Sequence, residues 1–91
     1  MRAARLRITG RVQGVGYRAW ATVTATRLGL RGWVRNRSDG GVEALVIGED
    51  DAVAAIIEAC QDGPFAARVA DVMVSDAEDD GSRGFTRRPT L

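Results

Sequence analysis

Two short stretches of this chain hold side chains and backbone suited to binding and activating a small anion. In Gln13-Gly14-Val15-Gly16-Tyr17-Arg18, two glycines stand two apart and an arginine follows directly. Gly14 and Gly16 let consecutive backbone N–H groups turn toward one point, forming a nest for a tetrahedral anion at the start of a helix. The planar guanidinium of Arg18 grips two oxygens of such an anion at once, as a lysine ammonium does not. The loop is not a Walker A sequence, whose lysine and Ser/Thr are missing, and the same glycine spacing also serves plain tight turns. The second stretch is Arg35-Asn36-Arg37. Asparagine is disfavoured in strands, so Asn36 there implies a hydrogen bond made by its amide, or the start of the turn that follows at Ser38.

What the composition lacks narrows the chemistry further. The chain has no histidine, which removes the usual zinc ligand sets, every histidine-based triad and the common proton shuttle. Its single cysteine, Cys60, has no partner for an internal disulfide and falls on an apolar stripe, where a thiol is a small core hydrophobe. All 13 basic residues are arginine, and nine of them precede the first acid, Asp39; the four remaining arginines share residues 39–91 with all twelve acids. A basic N-terminal half suits an anionic partner such as phosphate, nucleic acid or an acidic surface. A usage bias toward arginine, with the two halves neutralising each other once folded, accounts for the same split.

Ninety-one residues with 45% hydrophobic and 27% charged side chains make one globular domain, residues 1–91, with one modest core. There is no apolar run of about 18 residues and no basic-then-apolar leader, so the expectation is a soluble cytoplasmic protein that does not engage a membrane. Residues Ala4 to Val12 alternate, with Leu6, Ile8 and Val12 on one face, and read as a half-buried strand. The glycine loop leads into a helix over Ala19 to Leu28, with an inward stripe at Trp20, Val23, Thr24 and Arg27/Leu28 and Gly29 as its stop. Leu30–Arg37 and Val42–Ile47 flank Ser38-Asp39-Gly40-Gly41 as a hairpin. Val53, Ile56, Ile57 and Cys60 mark a second helix, begun by Glu49, Asp50 and Asp51 and ended by Gly63-Pro64. Arg68–Val74 is a further strand, 75–83 an acidic connection, and Gly84–Arg88 a short last strand. This βαββαβ order is the α+β ferredoxin-like split βαβ sandwich: an antiparallel sheet with two helices on one face, the first and third strands central, and a short fifth strand.

The two chemical stretches lie within longer patterns. Gly10-Arg11-Val12-Gln13-Gly14-Val15-Gly16-Tyr17-Arg18 resembles the first acylphosphatase signature, G-x-V-Q-G-V-x-[FY]-R. The run Gly32-Trp33-Val34-Arg35-Asn36-Arg37-Ser38-Asp39-Gly40-Gly41-Val42 resembles the second, G-[FYW]-V-[RK]-N-x-x-D-G-x-V. Both are complete, and the similarity extends over essentially the whole chain. The resemblance implies hydrolysis of carboxyl-phosphate anhydrides to a carboxylate and inorganic phosphate by direct in-line attack of water, with no metal, no cofactor and no covalent intermediate. It implies that Arg18 binds the phosphoryl group, that backbone N–H groups of Gln13, Gly14, Val15, Gly16, Tyr17 and Arg18 complete the cradle, and that Asn36 holds the attacking water.

That chemistry suits a chain without histidine. A carboxylate leaves without a general acid, and what remains is positioning and electrostatic stabilisation of a phosphoryl group. Arg11, Arg35 and Arg37 stand near the site in sequence and are candidates for steering a dianion toward it, with a salt-sensitive kcat/KM. The expected partners are an acyl phosphate and phosphate, with the protein a monomer. The competing class is a non-catalytic nucleic-acid or anion-binding module. The same fold serves RNA-recognition domains, and Arg31-Gly32-Trp33-Val34-Arg35 faintly resembles their basic-glycine-aromatic strand, although a second stacking ring is missing. A third possibility is the acylphosphatase-like domain of hydrogenase-maturation proteins, which is fused to much longer chains.

Overall fold

Alternation of apolar and polar residues produces the central strand, β1 (Arg2–Arg11), with Ala4, Leu6 and Ile8 fully buried on one face. A computed structural model describes all 91 residues. The chain continues through α1 (Tyr17–Arg27), β2 (Arg31–Asn36), β3 (Val42–Gly48), α2 (Asp50–Asp62), β4 (Arg68–Asp76) and β5 (Phe85–Arg87). The strands form one sheet in the order β4-β1-β3-β2-β5, with β1 and β3 adjacent at the centre. Pairing is antiparallel across the first four strands. The fifth departs from the all-antiparallel expectation: β5 runs parallel to β2, pairing Val34 with Arg87, because the long 77–84 connection returns the chain to the far edge in β2's direction. The architecture is the ferredoxin-like α+β fold with a mixed five-stranded sheet.

Strand parity divides the sheet into two faces. Ala4, Leu6 and Ile8 of β1, Val34 of β2 and Val42, Ala44 and Val46 of β3 join Ala21 and Ala25 of α1 and Val53, Ile56 and Cys60 of α2 in one core. Both helices therefore cover the same face. On the other face Trp33, Leu45 and Ile47 form a smaller cluster. No helix covers it, so the 77–84 segment and several arginines do. Trp33 Nε1 donates to Asp80 at 3.2 Å, Arg31 pairs with Asp79, and the guanidinium groups of Arg35, Arg88 and Arg5 lie 4.5, 4.9 and 5.8 Å from the Trp33 ring centre. Such stacking lets a cation cover an aromatic ring while its edge stays in water. The glycine of the second signature is a packing requirement: at Gly32, φ is +133° and an added Cβ would stand 1.9 Å from the Leu45 carbonyl oxygen.

The inward face of α1 differs from the stripe that its spacing predicts. Tyr17, Ala21 and Ala25 are buried, Val23 is half exposed at 50%, and Trp20 and Leu28 only flank the core. Alanines at four-residue intervals bring the helix close to the sheet, and their weak hydrophobicity conceals that face in the sequence. The helix begins at Tyr17 rather than Ala19, so Tyr17 and Arg18, expected in the loop, are its first two residues. In α2 the predicted stripe is the observed one at Val53, Ile56 and Cys60. No helix of the chain is long and apolar enough to cross a membrane.

Candidate functional site

The first chemical stretch is the connection between β1 and α1. Gly14 and Gly16 both take positive φ, +72° and +81°, and Gly16 is the N-cap of α1. No side chain caps this helix, and none of the N–H groups from Gly14 to Ala19 finds an acceptor within the protein. A run of free N–H donors at a helix N-terminus, where the helix dipole is positive, suits an anion. Arg18 is the second residue of α1 and half buried.

Three side chains fix the loop. Gln13 Nε2 donates to the carbonyls of Arg37 at 2.7 Å and Gly41 at 2.9 Å, fastening the loop to both ends of the β2–β3 turn. Val15 packs against the core. Tyr17 Oη donates to the Cys60 carbonyl at 2.8 Å, so the start of α1 is tied to one of the carbonyls that the last turn of α2 leaves unpaired. Burial raises the Tyr17 hydroxyl well above its ordinary value, with Cys60 adding to it, and burial likewise raises the Cys60 thiol. Both groups stay protonated and serve structure.

The second stretch meets the first across the sheet. Asn36 has the parity of Val34, so its side chain belongs to the helix-covered face, at the end of β2 beside the loop. Its backbone is held by pairing with Val42 and by Leu91 N–H, which donates to its carbonyl at 3.1 Å. The turn does not use its amide. Arg37 N–H donates to the Gly41 carbonyl, Gly40 N–H to the Arg37 carbonyl, and Gly41 N–H to Asp39 Oδ1. Hydrogen bonds around the hairpin thus run through Gln13, Arg35, Arg37 and Asp39 and leave the Asn36 carboxamide uncommitted.

Arg18 and Asn36 line one cavity of about 100 Å³, together with Gln13, Gly14, Gly16 and Tyr17. Val15, the remaining loop residue expected at the site, points into the core and lines no part of it. Arg87 also lines the cavity, and no sequence pattern indicated it. It is delivered by the parallel β5–β2 pairing, a contact between segments about fifty residues apart that leaves no local trace. The steering arginines fare differently. Arg35 and Arg37 pair with the buried Glu43 at 2.8 and 3.3 Å, and Arg5 stands 3.8 Å from the same carboxyl. Burial pushes the Glu43 pKa up, but the hydrogen bond from Arg35 and the charges of Arg35, Arg37 and Arg5 outweigh it and hold the carboxyl below its ordinary value. The Trp33 ring of the RNA-recognition-like strand is 3% exposed beneath its arginines and offers no stacking surface.

Known proteins resemble this chain in sequence and in fold. The acylphosphatase family model matches residues 4–87. An acylphosphatase of Rhodospirillum rubrum is 50% identical over 91 residues, covering the whole of both chains. The crystal structure of acylphosphatase from Bacillus subtilis superimposes with a TM-score of 0.93 at 36% identity, over 97% of this chain and 99% of that one. Full-length HypF, solved in a phosphate- and nucleotide-bound form, matches with a TM-score of 0.90 at 27% identity, over 98% of this chain but only 12% of its own.

Proposed function

The chain belongs to the acylphosphatase family and hydrolyses acyl phosphates, and we propose that it does so by direct in-line attack of water on phosphorus, without metal or covalent intermediate. Arg18 presents two N–H groups to non-bridging phosphoryl oxygens, and the free N–H groups from Gly14 to Ala19 take the others. Asn36, whose amide has no other bond, orients a water opposite the leaving oxygen. The water oxygen bonds to phosphorus while the P–O bond to the acyl group breaks, and its electron pair leaves on the carboxylate. A proton of the water passes to the phosphoryl oxygens, so an acyl phosphate dianion and water give a carboxylate and dihydrogen phosphate. No protein acid is required, because a carboxylate with a conjugate pKa of about 4–5 leaves unprotonated.

The observation that carries this reading is the meeting of Arg18, the unpaired loop N–H groups and an uncommitted Asn36 carboxamide at one small cavity. One chain supplies all of them, which suits a monomer, and a single buried thiol suits the reducing cytoplasm. The test is hydrolysis of benzoyl phosphate in EDTA, with inorganic phosphate as competitor. Turnover that survives chelation and is competitively inhibited by phosphate supports the reading. Turnover abolished by EDTA and restored by a divalent cation contradicts it.

A further inference from the structure

The cavity is small. At about 100 Å³ it lies several-fold below the roughly 300–1,000 Å³ that encloses a drug-sized ligand. With the phosphoryl group inside against the loop, the acyl part lies at the rim, and there the sheet supplies one charged group. Arg87 shares its face of β5 with Phe85, which packs on the core, so the Arg87 side chain points to the helix-covered face. It pairs with Val34, two residues from Asn36 on the same side of β2. Its neighbour Arg88 points the other way, over Trp33 and toward Asp80 at 3.7 Å.

Arg87 is also free. The ion pairs of the molecule use Arg5, Arg7, Arg31, Arg35, Arg37 and Arg88, and none involves Arg87. Of the arginines without a carboxylate partner, only Arg18 and Arg87 line the cavity. A second unpaired guanidinium beside the first is electrostatically unfavourable without an anion between or beside them. The phosphoryl group accounts for Arg18 and the loop.

We infer that Arg87 receives a carboxylate on the acyl side of the substrate, so that the favoured substrates are dicarboxylic acids phosphorylated at one end. Phosphorylation of one carboxyl leaves the other as a planar anion that matches a guanidinium fork. The inference rests on the cavity being the acyl phosphate site. Arg87 makes this contact before and during the reaction, so it acts on KM and leaves kcat nearly unaltered.

The test compares 4-carboxybenzoyl phosphate with benzoyl phosphate, which share the aromatic acyl phosphate and differ by one carboxylate remote from the reacting bond. Arg87→Gln should lower the ratio of their kcat/KM values roughly 5- to 10-fold, as expected for a charged pair open to solvent on one side. The loss should lie in KM for the carboxylated substrate. Arg83→Gln, which removes an exposed arginine outside the cavity, should leave the ratio as in the wild type. An unchanged ratio in Arg87→Gln, or an equal fall in Arg83→Gln, overturns the inference while the acylphosphatase reading stands. Failure of the wild type to hydrolyse benzoyl phosphate overturns both.

Discussion

In the proposed mechanism Arg18 and Asn36 act on different partners, and kinetics separates them. Truncating Arg18 leaves phosphoryl charge against a cradle of neutral N–H groups, so Arg18→Ala should lower kcat/KM for benzoyl phosphate by about 10³-fold or more. Asn36→Ala should lower kcat by about 10²–10³-fold with little change in KM, because orienting water does not hold substrate. The Asn36 amide has no protein partner to leave unsatisfied, so a melt of that variant should stay near the wild type. A large rise in KM for Asn36→Ala with kcat intact would assign the residue to binding. At this scale the sequence was informative where residue type restricts chemistry: an arginine after two glycines, and an asparagine in a strand. It was silent on Arg87, whose place depends on a distant strand pairing, and on the Gln13 side chain, whose two bonds to the hairpin appear only once the loop lies against it.

Helix α1 carries Arg18, and β2 carries Asn36. One face of the end of β2 carries Asn36, and the other carries Arg35, which with Arg37 closes on Glu43. Glu43 is 3% exposed, and its folded pKa lies below the ordinary 4.5. Its contribution to stability is therefore present above about pH 4.5 and lost as pH falls through the depressed folded value. Glu43→Gln should cost roughly 2 kcal/mol at neutral pH. The gap in Tm between wild type and variant should narrow below pH 4.5, whereas a gap constant with pH would mean that packing, not charge, is what Glu43 supplies. Strands β1 and β3 and helix α2 were legible because a strong apolar period had one competing explanation at most. Helix α1 was not, because its buried face is built from alanines behind one tyrosine. Nor was the direction of β5, which a long irregular connection decides.

Across the whole molecule the two charge halves pair in part. Arg7 meets Asp39, Arg31 meets Asp79, and Arg5, Arg35 and Arg37 surround Glu43. Five of the nine arginines of the first 38 residues thus meet three carboxylates, and Arg18 and Arg87 are the unpaired cations at the cavity. At the cavity itself, Arg18, Arg87 and the free loop N–H groups are the groups that attract an anion. The proposed mechanism puts the attack at phosphorus, with the phosphoryl group against Arg18 and the loop and the carbonyl carbon outside. Hydrolysis of benzoyl phosphate in oxygen-18 water tests this most directly. The label is predicted to appear in inorganic phosphate and not in benzoate; label in benzoate would place the attack at the carbonyl carbon and contradict the account.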